Sequence, residues 1–413
     1  MYCEFPGAAM SAALSAALRL TEEAAASLKQ SLLGLAADMA GVLAGLVVAL
    51  NVSVLEPIRW ALVAYPAVLA VRGLTNGILC AKLSTSLHVG SINTSLLRNT
   101  EEFYALVSSL AFFNFAVSLT ASAAVCAVSA AAFGASVADL LHILLCVVDS
   151  MAISFTVTAP LSFVVASRAY LKGLDPDYVT YPVMSTLADV VVSACYLLVV
   201  RLHSVGETLL LLLIFAGAAA TSIASLAKFS GHETFKGVLR ESAASFAIVS
   251  ALSSLAGAAL RGIGDVIGEY RPLYVVYPAV IDTVGDVGSI VGSTYTTKLA
   301  LGELGADARG MARSLPVVVG SWASSLLVFA SLPPLSAAFT GCSLAECLSL
   351  LRVLLLSNAV SVPVVALAAM AVATVAYRRG LDPDSFVNPV GSSLADAVTS
   401  YALLLSLASA GKF

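Results

Sequence analysis

Unbroken apolar runs such as Ile143 to Val148 and Leu209 to Phe215 recur along the whole chain, set in longer stretches that carry few charges. A hydrocarbon core of about 30 Å takes about 20 residues of helix to cross, and these stretches reach that length repeatedly. Transmembrane barrel strands would instead alternate polar and apolar residues over short segments, so the pattern reads as helices. Composition agrees: 59% of residues are hydrophobic and 11% charged, against about 25% charged in an average soluble domain. With a mean hydropathy of +0.96, the expectation is an all-α membrane protein with about eleven transmembrane helices and the lipid bilayer as its surroundings.

The expected spans are 31–55, 61–84, 103–133, 137–170, 180–202, 207–228, 239–260, 273–299, 313–335, 345–377 and 386–410. A net charge of -4 without a polybasic tail excludes nucleic acid as a main partner. If the N-terminus lies inside, the inner loops hold the majority of the 21 Lys and Arg, among them Lys82, Arg98, Arg168, Lys172, Lys236, Arg240, Arg309, Arg378 and Arg379. That asymmetry predicts a multi-pass protein of the cell membrane with a cytoplasmic N-terminus and the C-terminus outside.

Two passages occur twice. Gly173-Leu174-Asp175-Pro176-Asp177 returns as Gly380-Leu381-Asp382-Pro383-Asp384, and each leads through a proline, Pro182 or Pro389, to Leu-Ala-Asp at Asp189 and Asp396. Tyr65-Pro66-Ala67-Val68 likewise returns as Tyr277-Pro278-Ala279-Val280, with Gly73, Thr85 and Gly90 matching Gly285, Thr297 and Gly302. The predicted organisation is a short cytoplasmic segment 1–30, a five-helix repeat 31–206, a linking helix and loop 207–238, and a second five-helix repeat 239–413. An odd linking span makes the two repeats parallel, so the chain reads as a fused dimer with its axis along the membrane normal.

Asp189 lies roughly 13–15 Å into the fifth expected span at 1.5 Å per residue, and Asp396 lies at a similar depth in the eleventh. An acid near the bilayer midplane is costly and faces a polar cavity, where it marks an ion or proton path. Two such acids near one axis, with hydroxyls such as Ser185, Thr186, Ser392 and Ser393, suit a partly hydrated hard divalent cation; softer metals would call for Cys, Met or His. The bland alternative is that each Asp hydrogen-bonds a neighbouring helix.

Further candidates are Asn76, with Arg72, Gly73 and Thr75, in the second span, and Asp282 and Asp286 in the eighth. Glycines here permit close backbone approach or helix packing, and both readings stay open. Arg72 is placed to pair with Asp282 or Asp286, which have no acidic counterparts at Ala70 and Leu74. Asp149 is open between a pathway role and a buried hydrogen bond. The Asp-Pro-Asp turns read first as helix caps. His88, His142, His203 and His232 are scattered and unrepeated, which argues against a histidine metal site. Cys80, Cys126, Cys146 and Cys195 read as small buried hydrophobes, while Cys342 and Cys347 share a loop where a disulfide is conceivable.

These passages resemble the MgtE-like magnesium transporter family, in particular its two-repeat members related to the animal solute carriers for magnesium. The resemblance rests on Tyr65-Pro66 through Leu83-Ser84-Thr85-Ser86-Leu87-His88-Val89-Gly90 and on the two Asp-Pro-Asp to Leu-Ala-Asp passages. It implies a divalent cation path, Mg²⁺ being the expected substrate, between two five-helix units, with Asp189 and Asp396 binding the ion. It implies no catalysis and no cofactor, and one chain suffices for one pore. Asp286 stands where relatives often carry an amide, so selectivity is expected to differ. A Na⁺- or H⁺-coupled exchanger is the alternative, with Asp149, Asp282 or Asp286 as coupling groups. Gly262-Ile263-Gly264-Asp265 looks like the signature of intramembrane aspartyl proteases, but the second acid that chemistry needs is missing between Glu241 and Leu260.

Overall fold

In hydrocarbon a backbone amide finds no water, so a chain this apolar must satisfy its peptide groups within each segment, which a helix does. The computed structural model describes residues 6–41, 54, 57–134, 136–250 and 271–409, and among them every regular element is helical. The elements are α1 (Pro6–Leu35), a 3-10 turn (Ala36–Ala40), α2 (Arg59–Val89), α3 (Glu101–Phe133), α4 (Val137–Leu171), α5 (Pro176–Ser204) and α6 (Thr208–Phe229). After a helical stretch over 233–250 come α7 (Arg271–Ala300), the short α8 (Ala308–Arg313), α9 (Leu315–Thr340), α10 (Leu344–Arg378), a 3-10 turn (Pro383–Ser385) and α11 (Val387–Ser409).

Among the described residues nine helices are long and apolar enough to cross a membrane. They match nine of the eleven expected spans. The other two, 31–55 and 239–260, fall partly on residues outside those described, as does the whole Gly262 to Asp265 signature.

The repeated passages have repeated local structure. Ser136 and Ser343 each close a capping box at the start of a 35-residue helix, with Asp139 and Glu346 as the reciprocal acids. Both helices end in a turn through a left-handed glycine, Gly173 at φ 70° and Gly380 at φ 68°, a conformation that a side chain would strain. Asp175 and Asp382 then cap the next element by accepting from the backbone N–H of Asp177 and Asp384, at 2.9 and 3.0 Å. The copies diverge just after. Pro176 opens a continuous α5, whereas Pro383 opens a short 3-10 turn before α11.

Two apolar cores form. One is built mainly from α2 to α6 and the other from α7, α9, α10 and α11. Each borrows from the other half of the sequence: Leu35 and Tyr178 sit in the second core, Ala376 and Phe386 in the first. Between the cores α7 packs against α5 and α2, and α11 packs against α2. Thr85 and Thr297, equivalent positions 212 residues apart, touch through their hydroxyls at 3.2 Å.

The N-terminal helix is not a free tail over its described length. It lies along α9, where Ser31 and Ser321 share a hydrogen bond of 2.8 Å and Ser324 donates to the Leu28 carbonyl at 2.7 Å. Gly320 makes this approach possible, because a Cβ there would collide with the Ala24 carbonyl and stand 2.5 Å from the Ser27 Cβ and 2.8 Å from the Leu28 nitrogen. Gly320→Val should therefore destabilise the protein by about 1–3 kcal/mol through overpacking. A thermal melt of the purified protein, followed by loss of the monodisperse peak, checks this.

Candidate cation site

Four elements bring ionisable side chains together near the middle of their lengths. Asp189 sits about 20 Å from the start of α5 at 1.5 Å per residue. Asp282 and Asp286, one turn apart on α7, share one face of that helix. Asp396 comes from α11 and Arg72 from α2. Asp282 lies within electrostatic reach of Asp189, Asp286, Arg72 and Asp396 together. Asp286 is buried, while Asp189, Asp282 and Asp396 are half-buried.

Arg72, itself buried, forms an ion pair with Asp189. Sequence reading placed this guanidinium against Asp282 or Asp286; the structure gives it to Asp189, since the contact spans α2 and α5 and the sequence carries no sign of that register. Among the described residues no ion pair neutralises Asp282, Asp286 or Asp396. Ser185 hydroxyl lies 2.9 Å from both Asp286 Oδ2 and the Pro182 carbonyl, tying α5 to α7.

Each repeated acid has the same support. Ser193 and Ser400, one turn on, donate to the Asp189 and Asp396 carbonyls at 2.6 Å in both cases. The same hydroxyls meet the Tyr65 and Tyr277 phenols at 2.7 and 2.9 Å. Thus the repeated Tyr-Pro passage and the repeated Leu-Ala-Asp passage are two sides of one contact. A serine bonded back to a carbonyl four residues earlier is a contact that tends to bend a helix slightly, and it is present at both acids.

Asn76 is buried on α2 and accepts from Ser162 at 3.0 Å, with its amide nitrogen unpartnered among the described residues. Asn388 of α11 donates to the Gly77 carbonyl at 3.1 Å and accepts from Ser293 at 3.1 Å, holding α11 against α2 and α7. Asp149 stands apart. It is buried in α4 with neither oxygen hydrogen-bonded and no charged neighbour among the described residues. Its neighbourhood in the second half holds Asn358, which accepts from Trp322 at 2.8 Å and donates to Ser325 at 3.0 Å.

The Asp-Pro-Asp turns carry more polar chemistry than caps need. On one side one ring nitrogen of His88 and one carboxylate oxygen each of Asp175 and Asp177 lie within 4.8 Å of one another, with His88 Nε2 3.6 Å from Asp175 and Ser84 hydrogen-bonded to Asp177. Sequence reading saw no histidine site here because His88 and Asp175 meet only once α2 and α5 pack. Burial holds the Asp175 carboxyl above its ordinary range, opposed by the Asp177 amide and His88. On the other side Lys82 pairs with Asp382 and lies 3.9 Å from Glu241, which also accepts from Ser385 and the Asp382 amide. A polar recess of ≈ 200 Å³ opens there, lined by Lys82, Thr85, Asp382 and Asp384. Cys342 and Cys347 are free thiols, 3.1 Å apart.

The residue missed altogether is Asp38, in the turn after α1. It is fully buried against Asp286 and Asp282. Its signal was the one that found Asp189, an acid inside an expected span.

Acidic side chains from three helices thus gather beside the Arg72 guanidinium among apolar helices long enough to cross a membrane. The sequence pattern of MgtE, described as divalent cation transporter, matches residues 65–199 and 277–406. The chain belongs to that family of divalent cation transporters. No curated protein matches the chain. Among solved structures, a mutant of the Vibrio cholerae MATE transporter VcmN aligns over 94% of this chain and 98% of its own at 13% identity, with a TM-score of 0.36. The eukaryotic MATE transporter AtDTX14 aligns over 94% and 95% at 13% identity, with a TM-score of 0.14. Likenesses this slight carry no argument.

Removing Arg72 leaves the half-buried Asp189 without its partner; breaking a fully buried pair costs about 3–5 kcal/mol, and a smaller loss is expected here. Arg72→Ala should lower the melting temperature without divalent cation, and added Mg²⁺ should raise it by more than it raises wild type. Thermal melts with and without Mg²⁺ check both.

Proposed function

We propose that the protein carries a partly hydrated divalent cation, Mg²⁺ in the first place, across the cell membrane along a path between its two halves, with Asp189 and Asp396 binding the ion. In this reading 31–206 and 239–413 are five-helix units of the same orientation, joined by the linking segment 207–238. The N-terminus is cytoplasmic and the C-terminus outside. The observation that carries the reading is the meeting of Asp189, Asp282, Asp286 and Asp396 around the guanidinium of Arg72.

Three physical points support it. Carboxylates and hydroxyls are the ligands hard cations take, and Mg²⁺ keeps several waters while touching one or two carboxylates. The surplus of negative charge at mid-membrane is an electrostatic trap for cations and a barrier to anions. The recess beside Lys82, Asp382 and Asp384 supplies a polar mouth at the end of α2 that faces the cytoplasm in this orientation. An inside-negative potential then drives a divalent cation inward by about 4.6 kcal/mol per 100 mV, twice the value for one charge.

Arg72 gives the path a resting state. Its guanidinium occupies Asp189 as a tethered cation, so an arriving ion competes with it for the carboxylate. Conduction therefore includes a step in which Arg72 yields Asp189.

Proteoliposomes with a fixed inside-negative potential and an entrapped Mg²⁺ indicator test the proposal. Saturable entry without a Na⁺ or pH gradient is expected, reduced by about tenfold or more in Asp189→Asn and in Asp396→Asn. Entry that requires a counter-gradient would make the protein an exchanger. Entry unchanged in both variants would remove these acids from the path.

A further inference from the structure

The path through Asp189 and Asp396 leaves the buried Asp38 without a role. Asp38 is fully buried; among the described residues neither of its carboxylate oxygens has a donor in good hydrogen-bond geometry, and the groups within its reach are the Asp286 carboxyl and the Thr283 hydroxyl. It faces Asp286 and Asp282 on α7, with Thr283 between them in sequence. The Thr283 hydroxyl, 2.7 Å from the Ala279 carbonyl, lies within reach of the Asp38 carboxyl as well. Backbone comes close as well: a Cβ on Gly41 would stand 3.3 Å from Asp282 Oδ2.

The charges here do not balance. Three carboxylates, Asp38, Asp282 and Asp286, crowd one space, and among the described residues none takes part in an ion pair. Arg72 is committed to Asp189. Lys82 is committed to Asp382 and Glu241 at the far end of α2. A buried carboxylate without a partner costs several kcal/mol, and three together repel one another. All available donors are oxygen, which selects a hard cation.

We propose that Asp38, Asp282 and Asp286, with the Thr283 hydroxyl, form a second divalent cation site beside the Asp189 and Asp396 pair, to which the turn after α1 contributes a ligand. The proposal rests on reading this region as a cation path and adds a holding site to it. It also makes the site a joint property of both halves of the sequence, because Asp38 enters from the N-terminal segment and the other ligands from α7. The first half has no equivalent site: Ala70 and Leu74 stand where the second has Asp282 and Asp286.

Mn²⁺ binding to the full chain in zwitterionic nanodiscs, counted by electron paramagnetic resonance of the free ion, tests it. Wild type should bind two Mn²⁺, both displaced by excess Mg²⁺. Asp38→Asn and Asp286→Asn should each weaken the same one of the two by at least about tenfold, and Asp38→Glu should retain it. The double variant of Asp189→Asn with Asp396→Asn should lose the other. Should Asp38→Asn fail to fold, Asp286→Asn and Asp38→Glu still decide the question from the two sides of the site. One Mn²⁺ per chain, lost with Asp189 and Asp396 and indifferent to Asp38 and Asp286, overturns the second site while leaving the path intact; a proton shared between the carboxylates would then account for their closeness. A site lost with Asp38 but unaffected by Asp189 and Asp396 upholds the second site and removes the first. No Mn²⁺ bound at all overturns both.

Discussion

Arg72 and Asp189 set the terms for the rest of the molecule. A lone guanidinium in hydrocarbon is costly, and so is a lone carboxylate, but each makes the other tolerable. Because the pair joins α2 to α5, it fixes how the first half closes around its acid. Everything on the facing side then has to live with acids that have no such partner. Asymmetry between two halves that began as copies is thus chiefly one of charge: a basic side chain in α2 and two acidic ones in α7.

Around that centre the conserved geometry of the two copies is a matter of neutral hydrogen bonds. A tyrosine hydroxyl, a serine hydroxyl and the carbonyl of the acid make the same chain in each half. Neutral groups of this kind hold a backbone in place without adding to the field at the acid. The field can then diverge between halves while the scaffold does not, which is how Val284 replaces Arg72 and Asp286 replaces Leu74 without disturbing either tyrosine contact.

Much of this was legible in the sequence. Apolar length alone located nine helices that the structure describes, because hydrocarbon leaves the backbone no other solution. The duplication pointed to Asp189 and Asp396, and to the Asp-Pro-Asp caps. What stayed hidden were pairings between segments far apart in the chain. Nothing in the neighbourhood of Arg72 says that it reaches α5 and not α7, and nothing near His88 says that Asp175 lies beside it. Asp149 shows the opposite limit, since an acid inside an apolar run looks the same in sequence whether it joins a cluster or sits alone. Asp38 was readable by the same rule and went unrecognised.

The seating of α1 on α9 has a consequence for how the protein is made. Ribosomes deliver the chain from its N-terminus at about 5–20 residues per second, so the first helix waits for Gly320 and its neighbours before it has a surface to lie on. Until α7 arrives, Asp38 has no cluster of acids to enter. Biogenesis therefore finishes by closing the start of the chain over its last third, and truncated or stalled chains leave the face of α1 that seats on α9 uncovered for membrane quality control.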